Sequence, residues 1–337
     1  MVDTSALLVD RSKGFTRDAI PDLSGKVAIV TGANTGVGYA TALELARKNA
    51  TVFMACRSEE RAAPAVEKVR AETGNKNVHF LKLDLQNLKQ SREAAKGFLS
   101  LGLGLHILVN NAGIMACPFA LTSDGIESQF ATNHLGHFVF TKTLLPALER
   151  SAPSRIVNLS SVAHKHPAPG GILFDSINDP KAMGDWGRYG QSKLSNILFS
   201  RALDKRYGEK GIYVNSVHPA PEYLTPPPPH PMLPFQPGYV NSELTRGVKQ
   251  GWVGWIMSPL IWLSNSTLAI PPYEGALTSL YVATSPEIET NDVRAKYFVP
   301  IASERTDLSS EYSKDETLAE KLWAFSEKLV EEKIGKE

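Results

Sequence analysis

Apolar runs of five to seven residues alternate with longer stretches in which apolar positions recur every three or four residues. The short runs are 26–31 (KVAIVT), 51–56 (TVFMAC), 78–84 (VHFLKLD), 105–110 (LHILVN), 155–159 (RIVNL) and 213–217 (YVNSV). Their length and their β-branched content predict strands. Residues 38–48, the charged stretch after 56, 88–99, 127–149 and 189–207 have the spacing of helices with one apolar face. Ser58 stands where its hydroxyl can cap the second of these. A helix at 274–283, a last strand at 296–299 and an amphipathic helix at 317–333 complete the pattern. Strands that are apolar on both faces need a helix layer on each side. The pattern therefore predicts an α/β fold: a doubly wound parallel sheet in three α/β/α layers forming a single domain. We read residues 1–22 as an N-terminal extension, 23–310 as the main unit and 311–337 as a C-terminal helix. Residues 162–188 and 220–272 are read as insertions on the substrate side.

Composition narrows the function without naming it. Thirty-six basic and 35 acidic residues leave a net charge of +1, which excludes the strong field of a nucleic-acid-binding surface. Two cysteines, Cys56 and Cys117, cannot form a disulfide framework or a cysteine-rich zinc site, and they fit a reducing, cytoplasmic setting. The first twenty residues carry charge on both sides of a very short apolar run, so neither a signal peptide nor a spanning helix is expected there. Residues 251–272 contain three tryptophans but are broken by Pro259, Ser264, Asn265 and Ser266, well short of the roughly 20 apolar residues a span needs. They are read as a lid or cleft wall, with a peripheral contact to an internal membrane or lipid droplet as the alternative.

The first strand runs directly into Thr31-Gly32-Ala33-Asn34-Thr35-Gly36-Val37-Gly38. A glycine-rich turn between strand and helix lets the backbone approach a diphosphate, whose charge then lies at the helix N-terminus. At the end of the second strand a site for NAD(H) usually places an acid for the ribose hydroxyl. Here Cys56 takes that place and Arg57 follows, and a guanidinium suits a 2′-phosphate; NADP(H) is therefore expected ahead of NAD(H). Tyr189 and Lys193, four residues apart, share one face of their predicted helix. An ammonium beside the phenol, together with the positive charge of an oxidised nicotinamide, would move the tyrosine toward its working pH. Ser160 and Ser161 point to opposite faces if the strand continues, so one of them can enter a cleft.

Three segments, TGANTGVG (31–38), NNAG (110–113) and YGQSK (189–193), resemble the signature of the short-chain dehydrogenase/reductase family, in order and at plausible separations. ACR (55–57), NHLGHF (133–138) and RIVNLSS (155–161) are similar to its retinol-dehydrogenase-like branch, which includes the WW-domain oxidoreductases. The similarity covers roughly residues 20–330. It implies a seven-stranded Rossmann sheet with one dinucleotide at the C-terminal strand edge. By that resemblance Gly32, Asn34, Thr35, Gly36, Val37, Gly38, Arg57, Asp84, Leu85, Asn111, Ala112, Gly113, Pro219 and Val240 meet the cofactor, together with Tyr189 and Lys193. Asp84 and Leu85 would flank the adenine, and Lys193 would hold the nicotinamide ribose. The catalytic set is Asn133, Ser161, Tyr189 and Lys193, with Asn133 holding a water for proton relay. His134 and His137 read as packing or capping residues, and no metal site is expected.

Two departures stand out. The segment between Ser161 and Tyr189 is longer than the family's short connection, as in the retinol-dehydrogenase-like branch. After Val217-His218-Pro219 a proline-rich block, 220–237, interrupts a motif that Gly238-Tyr239-Val240 resumes. It is read as a lid insertion protruding as an extended loop, a partner-binding polyproline segment or an unspliced intron, and as dispensable for the fold. The expected activity is hydride transfer between NADP(H) and a carbonyl or alcohol of a lipophilic small molecule. The alternative is a Rossmann-fold NADP(H)-binding regulatory protein with little turnover, and a homodimer is compatible with either.

Overall fold

Small and β-branched side chains occupy both faces of β1 (Val27–Thr31), all five residues of which are buried. Every residue of β4 (Ile107–Asn110) and β5 (Ser154–Leu159) is likewise buried. The computed structural model describes residues 14–219 and 272–336; Val240, the block 220–237 and the tryptophan-rich stretch 251–263 lie outside them. With β2 (Thr51–Cys56), β3 (Val78–Lys82), β6 (Ile212–Val217), β7 (Tyr297–Val299) and β8 (Ser303–Glu304), strands β1, β4 and β5 form one sheet in the order β3-β2-β1-β4-β5-β6-β7-β8. Pairings from β3 through β7 are parallel, and β7–β8 is antiparallel. The reversal of strand order beside β1 opens a crevice at the carboxyl ends of β1 and β4, where such sheets bind ligands. The resemblance implied seven strands; β8 adds a two-residue hairpin arm, too short to leave a periodic signal.

The pleat sends alternate residues to different layers. Ile29, Phe53 and Ala55 join the core that includes side chains of α3 (Leu88–Leu99), α5 (Gly136–Arg150) and α6 (Asp185–Tyr207). Ala28, Val30, Val52, Met54 and Cys56 face the opposite core, with α1 (Gly36–Arg47) and α2 (Glu59–Thr73) and with α7 (Pro272–Thr284). Ser58 caps α2, its hydroxyl accepting the amide of Arg61 at 3.3 Å. Residues 14–22 also pack: Phe15 meets Tyr281 edge-on at 5.3 Å, and Ile20 is buried. The tail helix α8 (Glu316–Ile334) lies on α6, and its Trp323 meets Phe138 with ring centroids 5.0 Å apart. None of the described helices is long and apolar enough to cross a membrane.

The helical region expected over 127–149 is present, but it is not α-helical throughout. Glu127 caps the short α4 (Ser128–Phe130), accepting the amides of Gln129 and Phe130 at 2.9 and 2.8 Å. A π turn, Ala131–Leu135, follows before α5 begins. Such single-turn π segments commonly mark functional positions, and this one carries Asn133.

Candidate active site

The glycine-rich turn after β1 is held by the residues that follow β4. The amides of Asn111 and Ala112 donate to Thr31 Oγ1, each at 2.9 Å, and Asn111 Nδ2 donates to the Thr31 carbonyl at 2.8 Å. Gly32 takes φ +65°. A β-carbon on Gly38 would stand 2.5 Å from the Gly32 carbonyl oxygen, so only glycine lets α1 begin this close to the strand it follows. Asn34, Thr35 and Gly36 are half-buried, and Val37 and Gly38 are buried. Thr35 precedes α1 without a side-chain cap, which leaves the first amides of that helix for a bound anion.

The end of β2, where the sequence suggests cofactor selection, contains no carboxylate. The Cys56 thiol is turned into the protein, where burial pushes it up to about 11 against the amides of Ala33 and Asn34 that bond to it. Arg57 is solvent-exposed, and its carbonyl accepts from Lys82 Nζ at 2.6 Å. The first acids after the strand, Glu59 and Glu60, lie exposed on the opening turn of α2. Asp84 turns its carboxylate back onto the chain, accepting the Gln86 amide at 3.0 Å, and its own amide donates to Gln90. Leu85 is buried in the core against Gly136, where a β-carbon would collide with it.

The other candidate residues converge beyond β4 and β5. Tyr189 and Lys193 lie on the first half of α6, both buried. The Tyr189 hydroxyl shares a hydrogen bond with Ser161. Lys193 Nζ lies 5.7 Å from the Tyr189 ring centroid and donates to the Leu159 carbonyl at 3.1 Å. Ser161 Oγ accepts the Ala163 amide at 3.2 Å. Ser160 faces away: its hydroxyl donates to the Lys193 carbonyl at 2.8 Å and fastens β5 to α6. Asn133 Oδ1 accepts the Ile114 amide at 2.8 Å, and its Nδ2 donates to the Ile114 carbonyl at 2.9 Å and to Ser192 Oγ at 2.8 Å. A β-carbon on Gly113 would stand 3.1 Å from Asn133 Oδ1 and 3.3 Å from Lys193 Nζ, so the turn after β4 lies directly on these two side chains. Pro219 is half-buried just past β6.

One electrostatic expectation changes. Proximity to Lys193 was expected to bring Tyr189 down. In the protein alone burial pushes Tyr189 up to about 12, opposed by the hydrogen bond with Ser161. Burial also lowers Lys193, to about 8. Losing water shifts each group toward its neutral form, although Lys193 at about 8 still carries its proton at neutral pH. Bringing the tyrosine below its ordinary value then takes a positive charge bound above it in addition to Lys193 and Ser161.

Several residues of the site carry no motif. Met115, Ala116 and Ala163 form an apolar cluster on Tyr189, and Trp186 packs against it with its ring edge-on to the tyrosine at 6.1 Å. Gln129 holds this wall, accepting the Ala116 amide at 2.9 Å and donating to the Asp185 carbonyl at 3.0 Å. No sequence pattern marks Gln129 or Met115. Trp186, three residues before Tyr189, could have been found from helical spacing alone.

Comparison with known proteins agrees with this geometry. The family described as short chain dehydrogenase matches residues 26–226. Human retinol dehydrogenase 13 is 38% identical over 330 residues, covering 97% of this chain and 91% of that protein. The chloroplastic short-chain dehydrogenase TIC 32 A of Brassica napus is 41% identical over 318 residues, covering 92% and 90%. A solved structure of an uncharacterized Mycobacterium paratuberculosis protein superposes with a TM-score of 0.69 at 30% identity, covering 94% of this chain and 97% of that one. The Pseudomonas aeruginosa RhlG/NADP active-site complex shares the fold, with a TM-score of 0.60 at 24% identity. With its sheet, its glycine turn and its buried tyrosine–lysine pair, the chain belongs to the short-chain dehydrogenase family and is an oxidoreductase acting on CH–OH groups.

Proposed function

We propose that the protein interconverts an alcohol and a carbonyl on a lipophilic small molecule with NADP(H). The observation that carries this reading is the Tyr189 hydroxyl, bonded to Ser161 at the foot of an apolar wall of Met115, Ala163 and Trp186. The close approach of Gly32 and Gly38, the uncapped start of α1 and the carboxylate-free end of β2 fit a dinucleotide with a 2′-phosphate. Gly32–Gly38 and Asn111–Gly113 would hold it, with Arg57 at the phosphate. When bound, it supplies the two-electron redox chemistry. In reduction Tyr189 donates its proton to the substrate oxygen, and Ser161 Oγ hydrogen-bonds that oxygen as negative charge grows on it. Lys193, held to the Leu159 carbonyl, places a cation beneath the resulting phenolate and favours it. The apolar wall excludes water from the reacting centre and orients a hydrophobic body. Retinol dehydrogenases among the relatives support a lipophilic substrate.

The test is NADPH consumption with a panel of retinal, steroid ketones and small water-soluble aldehydes. The reading expects kcat/KM to rise with the apolar size of the carbonyl compound and NADPH to outperform NADH. A protein that binds NADPH and reduces none of the panel would overturn it in favour of a regulatory nucleotide-binding role.

A further inference from the structure

His137, on the first turn of α5, is buried and belongs to no part of the machinery described above. Its Nε2 lies 2.8 Å from Thr31 Oγ1, and its Nδ1 lies 3.1 Å from the Asn133 carbonyl oxygen. These contacts allow one arrangement of protons. A hydroxyl has two lone pairs and one hydrogen. Thr31 Oγ1 already accepts the amides of Asn111 and Ala112, so its hydrogen is what remains to offer. That hydrogen has the imidazole nitrogen at 2.8 Å and the Val109 carbonyl at 3.5 Å. Nε2 therefore accepts. Nδ1 keeps the ring proton and donates it to the Asn133 carbonyl, which can only accept.

We infer that His137 is a positioning residue, a neutral Nδ1–H imidazole that fixes the distance between the turn under the cofactor and the π turn carrying Asn133. On one side it supports Thr31, which holds Asn111 and Ala112. On the other it holds the backbone of Asn133, whose side chain locks Ile114 and bonds Ser192 on the helix of Tyr189 and Lys193. A shift of Asn133 would be felt at Gly113, whose turn lies against both Asn133 and Lys193. The groups facing the ring reinforce its neutral state. Burial lowers its proton affinity most, Lys193 on α6 lowers it further, and the Asn133 carbonyl opposes both. His134, in the π turn, is likewise lowered, chiefly by burial.

The inference rests on the catalytic reading of Tyr189 and Lys193 given above. Two variants separate it from plain packing. His137→Phe preserves the ring volume and removes both hydrogen bonds. His137→Asn sacrifices ring packing but retains a donor near the place of Nδ1. His137→Phe is expected to lower kcat about tenfold, the worth of one hydrogen bond, with the NADPH Kd changed by less than about threefold. His137→Asn is expected to recover most of that kcat despite its worse packing. A ¹⁵N spectrum of the wild-type imidazoles should show His137 as the neutral Nδ1–H tautomer from pH 6 to 8. Wild-type kcat in His137→Phe, an Asn variant no better than Phe, or an Nε2–H tautomer would each overturn the inference. If His137→Phe fails to fold, the Asn variant and the spectrum still decide. A wild-type protein that reduces no carbonyl in the panel defeats the substrate reading alone, and the spectrum still passes or fails the network.

Discussion

The two ends of the crevice are built from different materials. At the nucleotide end, between β1 and β2, the work falls to backbone: Gly32 and Gly38 make space, and the uncapped start of α1 presents its amides. At the catalytic end, from β4 to α6, buried side chains are bonded to one another and to carbonyls, with Asn133, Ser161, Tyr189 and Lys193 as the core of that network. Substitutions should therefore act through sterics and affinity at the first end, and through proton position at the second.

The sharpest way to break this contrast is Tyr189→Phe. It deletes one hydroxyl, leaves the ring against Trp186, and should cost about 10²–10⁴-fold in kcat while the NADPH Kd hardly moves. Steady-state kinetics beside a fluorescence titration of NADPH checks it, and a near-native kcat would remove Tyr189 from the reaction. Arg57→Asp probes the other end. It replaces an exposed cation with a phosphate-repelling anion next to Cys56, and losing a charged hydrogen bond of about 1.5–3 kcal/mol should swing the NADPH-to-NADH ratio of kcat/KM at least about tenfold. An unchanged ratio places Arg57 outside the adenosine site.

Gly38→Ala sharpens the steric side of the comparison. Its methyl group would stand 2.5 Å from the Gly32 carbonyl oxygen. Relieving that overlap should cost about 1–3 kcal/mol, divided between a lower Tm and a weaker NADPH Kd. Calorimetry with and without NADPH separates the two parts, and a variant matching wild type in both would show that the turn has room to yield.

The smallest effect concerns pH and belongs to the catalytic end. Lys193 is lowered from its ordinary 10.5 to about 8 by burial, so the unfolded chain holds this proton between pH 8 and 10.5 while the folded protein releases it. Stability therefore rises with pH across that window, by at most roughly 1.4 kcal/mol per unit for one proton. Tyr189 works in the opposite sense above pH 10: its folded value of about 12 means that the unfolded chain loses the proton first, and stability falls. Urea midpoints of wild type and Lys193→Met between pH 7 and 10 test this. The wild type should gain on the variant as the pH rises, and parallel curves would mean that Lys193 is not desolvated as described.

Much of this architecture was legible before any coordinates. Apolar runs with helical stretches between them located the seven parallel strands and the helices around them to within a few residues, because burial on both faces leaves a strong compositional signal. Glycine spacing and the i, i+4 pair Tyr189–Lys193 were readable for a similar reason, since each is a local constraint expressed in adjacent residues. Strand alternation showed that only one of Ser160 and Ser161 could enter the cleft, and the family resemblance singled out Ser161. The π turn was not legible: Ala131–Leu135 has ordinary helical composition, and the widening shows in its backbone hydrogen bonds.

What the sequence determined alone is therefore the order of elements, the family and the residue types available at the crevice. Tertiary structure decided how those residues act on one another. Thr31, Asn133 and His137 lie more than a hundred residues apart along the chain at the extremes, yet form one set of hydrogen bonds whose proton positions follow from distances of about 3 Å. Tyr189 and Lys193 look in sequence like a phenol tuned by a neighbouring ammonium. In the fold both are stripped of water, and burial moves them the other way. Local patterns record what a residue can do; desolvation and long-range contacts arise only when segments distant in sequence close around it, and those set its charge and its direction.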